Sequence, residues 1–148
     1  MEINVKIKLC GKNKIPAYAT SGSAAVDLRA STDTSITIPS GGRALIPTGI
    51  AISPERADVV AIIAARSGLA IKHGISLSNG IGVIDSDYRG EICVGLTNNS
   101  DKDFTIEPGD RIAQLMFMPV YTAKFIESSS LDETERGTGG FGSTGVKG

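Results

Sequence analysis

The sequence predicts an all-β domain, a sandwich or barrel assembled from many short strands. Three observations point there: short β-type runs recur along the whole chain, clusters of turn-forming residues separate them, and one segment only departs from strand-like patterning. The length of 148 residues fits one domain, with no room for a second comparable core.

The first element is read from alternation. Ile3, Val5, Ile7 and Leu9 are interleaved with Asn4, Lys6 and Lys8, which predicts a half-buried strand. Further strands are expected at "SITI" 35–38, "ALIPTGIAI" 44–52, "DVVAIIA" 58–64, "EICVGL" 91–96, "DFTI" 103–106 and "RIAQLMFMPV" 111–120. The breaks between them, "PSGG" 39–42, "SPER" 53–56, "NNSDKD" 98–103 and "EPGD" 107–110, are rich in turn formers. The exception is "ARSGLAIKHGI" 65–75, where Ser67 is expected to cap a short helix that begins at Gly68 and ends near Gly74. Lys72 and His73 then fall in its last turn, where the helix dipole favours cations.

Composition narrows the function classes. Fifteen Lys and Arg stand against sixteen Asp and Glu, which is not the basic footprint of a nucleic-acid binder. The densest apolar run, "VVAIIAA" 59–65, is far below membrane-spanning length, and the N-terminus alternates where an export signal would be a solid apolar block. Cys10 and Cys93 are too few for a disulfide framework or a zinc cluster and read as small buried side chains in a reducing compartment, so the cytoplasm is the expected location.

Three stretches carry candidate chemistry. Arg66-Ser67-Gly68 places a guanidinium and a hydroxyl at a helix start, where unpaired N–H groups favour an anion such as phosphate; an ordinary cap beside an exposed arginine fits the tripeptide too. In "GVIDSDYRGEI" 82–92, Asp85, Asp87 and Tyr88 interrupt an apolar run. A polar hairpin turn between core strands accounts for both acids. It leaves Gly80 and Gly82 unexplained, unless their bare backbone admits a ligand beside a carboxylate that acts as general base or metal ligand. From Gly137 to Gly148 the chain reads "GTGGFGSTGVKG", with six glycines and one large apolar side chain, Phe141. So much glycine makes the backbone costly to order, and the segment is expected to be mobile until something holds it. A solvated linker has no use for a phenyl ring, so Phe141 resembles a docking anchor. No GK[ST] follows the glycines, which excludes a Walker loop. His73 could complete a Ser–His–Asp set with Ser67 and Asp85, but "RSG" is not a nucleophile elbow.

Five segments, in order, resemble the motifs of the trimeric deoxyuridine triphosphatases: "SGSAAVDLRA" 21–30, "ARSGLAIKHGI" 65–75, "NGIGVIDSDYRGEI" 79–92, "PGDRIAQLMF" 108–117 and "RGTGGFGSTG" 136–145. The resemblance implies a jelly-roll-like (β-clip) barrel over residues 1–135 and a flexible glycine-rich arm over 136–148 that closes over an active site. It implies a homotrimer with its active sites at subunit interfaces. The implied reaction converts dUTP and water to dUMP and pyrophosphate with Mg2+, which keeps uracil out of DNA and supplies dUMP for thymidylate synthesis. By position, Asn79, Val83, Ile84 and the Cys93 backbone would read uracil, and Tyr88 would pack on the deoxyribose. Asp85 would activate the attacking water. Arg66, Ser67, Gly68 and Gln114 would bind phosphates, and Asp27 would act on the metal through water. From the arm, Phe141 would stack on uracil, with Arg136 and Ser143 reaching phosphate. Two places depart from the family pattern: Ala25 and Val26 in the first motif, and Ala65 where proline often precedes the arginine.

The dCTP deaminases share this scaffold, but they need a glutamate where this chain has Gly95 and tend to carry serine at Gly68. A nucleotide-dependent regulatory protein would not require Asp85 and the whole arm. A plain β-sandwich interaction domain leaves Phe141 and the anion site as coincidences.

Overall fold

The computed structural model describes residues 2–140. Among them, strands run in the order β1 (Val5–Leu9), β2 (Val26–Arg29), β3 (Ile36–Ile38), β4 (Arg43–Pro47), β5 (Ile50–Pro54) and β6 (Val59–Ala64). The helix α1 (Ser67–His73) follows, then β7 (Ile75–Leu77), β8 (Gly82–Ile84), β9 (Cys93–Asn98), β10 (Phe104–Ile106) and β11 (Arg111–Pro119). All described pairings are antiparallel.

The pairing is nested. β2 pairs with β11, β3 with β10 and β4 with β9, as in one long ribbon wound over itself, which is the jelly-roll arrangement. β6 and β8 extend the first pair into a four-stranded sheet β2-β11-β6-β8, and β7 extends the third into β4-β9-β7. β1 and β5 close one flank as a separate pair. Strand alternation determines which side chains meet inside: on β6, Val59, Ala61 and Ile63 are buried while Val60, Ile62 and Ala64 are half-exposed. Leu28, Ile38, Ile46, Ile50, Ile92, Val94, Leu96, Ile106 and Ile112 make one continuous core. Each fully buried aliphatic side chain contributes about 1.5–3 kcal/mol through removal from water.

A buried polar residue ties two sheets together. Asn98 has no exposed surface, and its amide nitrogen donates to the carbonyls of Ile38 (2.9 Å) and Lys102 (2.7 Å). Its side-chain oxygen accepts from the Ser100 N–H (3.0 Å) and hydroxyl (2.7 Å). The "NNSDKD" turn is therefore folded around one side chain.

Several elements differ from the sequence reading. The run 44–52 is two strands, because Gly49 adopts φ 72° and Thr48 turns inward to donate to the Ile92 carbonyl (2.6 Å). β2 and β7 are additional to the runs expected, while β8 is the apolar lead-in to the Asp85 turn. The cap of α1 is Arg66, extended at φ −86° and ψ 126°, with no side-chain cap bond, so Ser67 is the first helical residue and not the cap. Gly74 ends the helix in the left-handed region (φ 69°), and His73 packs on the Phe104 ring with centroids 5.1 Å apart. That contact and its place at the far end of α1 from Ser67 give the histidine a structural role. Cys10 is exposed and Cys93 half-buried, so neither is the buried side chain expected. The one described helix is too short and polar to cross a membrane.

Candidate active site

The first group of candidate residues converges at one corner of the four-stranded sheet. Gln114 on β11 faces Asp27 of β2 on one side and Ala64 of β6 on the other. Directly opposed residues of an antiparallel sheet share a face, so Asp27 and Gln114 lie in one outward row. Two residues past Ala64, Arg66 turns back over that row. Its Nε donates to Asp27 Oδ1 (3.0 Å) and its Nη1 to the Arg111 carbonyl (3.3 Å). Ser67 and Gly68 follow in the first turn of α1, both exposed. With no side chain capping this helix start, its first N–H groups stand beside the Arg66 guanidinium. Asp27, Arg66, Ser67, Gly68 and Gln114 are thus brought together, and the assembled chemistry is that of an anion site flanked by one carboxylate.

The second group lies on β8 and the turn after it. β8 is the last strand of its sheet, paired only with β6 among the described residues, so its other edge presents unpaired backbone groups. Val83 is exposed and Ile84 half-buried on that edge; Asn79 is exposed in the turn that leads into it. β8 does not pair with β9, so the "DSDYRG" turn at 85–90 joins strands of two different sheets and is not the hairpin turn expected from sequence. Gly82 leaves no room for a ligand, whereas the space beside Gly80 is open. Gly80 has φ 74°, which the turn requires, and a Cβ on buried Gly82 would lie 2.9 Å from that of Ile63.

Asp85 opens a turn closed by the Tyr88 N–H donating to the Asp85 carbonyl (3.1 Å). Arg89 braces it, with Nη1 donating to the Ser86 carbonyl (2.8 Å) and the Tyr88 carbonyl (3.0 Å). Asp87 occupies the turn itself and is exposed. Tyr88 folds over Gly90, where a Cβ would come within 2.3 Å of the phenol oxygen, and donates to the Glu91 carbonyl (3.1 Å). Cys93 starts β9, and burial with the nearby Glu91 charge pushes its thiol pKa up, so it stays protonated near neutral pH.

The two groups do not meet within one chain. Ile84 pairs with Ala61, and β8 runs opposite to β6, so Asp85 continues away from Arg66. Six residue steps along β6, at the usual strand rise, separate their levels by about 20 Å.

Arg136 lies beyond β11 in an exposed turn, with Nε donating to the Gly139 carbonyl (3.0 Å). Phe141 and Ser143 lie outside the described residues. Two residues escaped the sequence reading: Arg89, whose bracing role depends on the turn, and Arg111. The signal for Arg111 was "RIAQL", where polar residues stand three apart on what is otherwise a strand.

The family model described as dUTPase matches residues 12–145. The chain belongs to the dUTPase family. Deoxyuridine 5'-triphosphate nucleotidohydrolase from Desulfitobacterium hafniense is 54% identical over 147 residues, covering 97% of both chains. The protein of the same description from Actinobacillus pleuropneumoniae is 50% identical over the same length. Among solved structures, the dUTPase of Staphylococcus bacteriophage 80alpha with dUpNHpp superposes with a TM-score of 0.87 over 97% of this chain and 99% of its own, at 24% identity, which speaks to the fold alone.

Proposed function

We propose that this chain is a dUTP diphosphatase that hydrolyses dUTP to dUMP and pyrophosphate at sites shared between the subunits of a homotrimer. The observation that carries the reading is the gathering of Arg66, Ser67, Gly68, Asp27 and Gln114 at one corner, in a chain of the dUTPase family. Two features support assembly. The Asp85 turn lies about 20 Å from that corner by strand rise, so one chain cannot present both to one substrate. Tyr121, Phe125, Ile126 and Leu131, beyond β11, are almost fully exposed, and apolar side chains so placed fit a surface covered by other copies.

In this site the open edge of β8 at Val83 and Ile84, with the Asn79 amide and the Cys93 backbone, hydrogen-bonds the uracil edge. Tyr88, fixed over Gly90, packs on the deoxyribose and leaves no room for a 2′-hydroxyl. Asp85 takes a proton from a water as its oxygen bonds to the α-phosphorus; the bond to the bridging oxygen breaks in line and pyrophosphate leaves. The Arg66 guanidinium, the Ser67 hydroxyl, the first N–H groups of α1 and the Gln114 amide hold the phosphate chain and the charge that develops on it.

The fit of a divalent cation can be judged from the donor set. No cluster of three or more His, Cys, Asp or Glu able to cage an ion occurs among the described residues. Asp27 supplies a hard oxygen at the phosphate corner, which suits Mg2+ bound mainly by substrate oxygens and reached from Asp27 through water. When bound there, Mg2+ neutralises phosphate charge. Residues 136–148 form the closing arm, with Phe141 on uracil and Arg136 and Ser143 on phosphate, so that closure excludes bulk water. The cytoplasm is the expected compartment.

Product analysis on dUTP, dCTP, dTTP and UTP, with and without Mg2+, tests this. Pyrophosphate release from dUTP is expected to exceed that from the others by at least about 100-fold, because a site built to bond one base edge leaves its own groups unpaired by another. Chelation of the metal is expected to slow it at least about tenfold. Ammonia from dCTP, or equal turnover of all four, contradicts the reading.

A further inference from the structure

The outward row holds one more residue than the proposed machinery uses. Arg111 Nη1 donates to Asp27 Oδ2 (3.4 Å), so the two Asp27 oxygens are engaged by two different guanidinia, Arg66 on one and Arg111 on the other. Arg111 reaches this position only through an irregularity in β11. The register steps from Arg111 opposite Arg29 directly to Ala113 opposite Leu28, which makes Ile112 the extra residue of a β-bulge. In an unbroken strand, Arg111 would share the face of Ala113 and Leu115, both buried. The bulge puts Ile112 and Ala113 both into the core and swings Arg111 out beside Asp27 and Gln114.

We propose that Arg111 is a positioning residue that clamps Asp27 so that Asp27 orients the Arg66 guanidinium toward the triphosphate. The inference rests on the functional reading above. Arg66 spends Nε on Asp27 and Nη1 on the Arg111 carbonyl, and its Nη2 donates to no protein acceptor among the described residues. A carboxylate held at one oxygen alone can rotate; held at both, it fixes the plane of Arg66 and therefore the direction of that remaining nitrogen. Two guanidinia on one carboxylate also leave the corner net positive, as a polyanion requires. Arg111 is half-exposed, so its clamp is screened and its effect moderate.

The test is a double-mutant cycle on full-length protein, reading affinity for the non-hydrolysable α,β-imido analogue of dUTP. Arg111→Ala is expected to weaken binding about 5- to 10-fold with little change in melting temperature, since its backbone carbonyl still receives Arg66. In an Arg66→Ala background the same change is expected to cost less than about twofold, because the group it positions is gone. Arg111→Lys, which keeps a charge near Asp27 without the planar fork, falls between wild type and Arg111→Ala. Equal losses in both backgrounds, no loss in either, or a Lys variant no better than Ala would overturn the clamp. If the wild-type protein fails to bind the analogue, the functional reading fails; if it binds normally and the cycle is additive, only the clamp fails.

Discussion

Asp85→Asn is expected to lower kcat for dUTP by about 10²–10⁴-fold while leaving affinity for the α,β-imido analogue within about threefold. The amide keeps the size of the carboxylate but cannot accept the water proton, so the loss falls on the chemical step. The local structure should survive, because the turn is closed through the Asp85 backbone carbonyl and braced by Arg89 on the Ser86 and Tyr88 carbonyls, not through the side chain. Single-turnover pyrophosphate release and direct titration of the analogue separate the two quantities. Undiminished kcat would remove Asp85 from the mechanism; a large affinity loss with unchanged kcat would make it a binding residue.

The largest stability effect is expected at Asn98. Replacement by leucine keeps the volume but removes, at a residue with no exposed surface, the donor to the buried Ile38 carbonyl and the acceptor of the half-buried Ser100 N–H; the Lys102 carbonyl loses one donor and keeps the Ser100 hydroxyl. Unpaired buried polar groups cost about 1–3 kcal/mol each, partly relieved by relaxation, so a loss of about 2–4 kcal/mol is expected by denaturant unfolding. The neighbour Asn99 also donates to a carbonyl and a hydroxyl, but in an exposed position, and Asn99→Ala is expected to cost less than about 1 kcal/mol. Similar losses at the two positions would mean that burial does not set the value of this network.

What could be read in the chain followed from how local each feature is. The long alternating strands β1 and β6 announce themselves, because side-chain direction has a period of two and burial one of the same length. β7 does not, since it is three residues long and its first, Ile75, closes the run that lacks strand alternation. The division of 44–52 rests on one glycine with positive φ and one inward threonine, and neither is visible in an apolar run. The bulge at Ile112 is the most instructive miss: "RIAQL" reads as imperfect alternation, and only the register against β2 shows that the imperfection re-aims Arg111.

Arg66, Ser67, Gly68, Asp85, Tyr88 and Phe141 stand out from local chemistry, whereas Asp27, Asn79 and Gln114 are named only by the order of five motifs; the structure sorts the described ones into two places. Strand pairing brings Asp27, Arg66 and Gln114 together because three sequence-distant strands are neighbours in one sheet. The same pairing sends Asp85 the other way along β6. No property of a single sequence says which copy of the chain completes a site, because that depends on surfaces meeting between molecules. The bareness of Gly82 was likewise misread, since packing against Ile63 already demands it.

The shared site can be tested by restoring activity from two inactive parents. Asp85→Asn and Arg66→Ala each remove one half of the site, and each protein alone should be nearly inert. Co-expressed at equal levels with different tags and purified as mixed trimers, they should recover about one third of the wild-type sites, since every trimer holding both parents has one site of its three that draws an intact Asp85 and an intact Arg66 from two different subunits. Mixed assemblies with no more activity than the sum of the parents would place both residues in one chain's site, against the roughly 20 Å that strand rise puts between them.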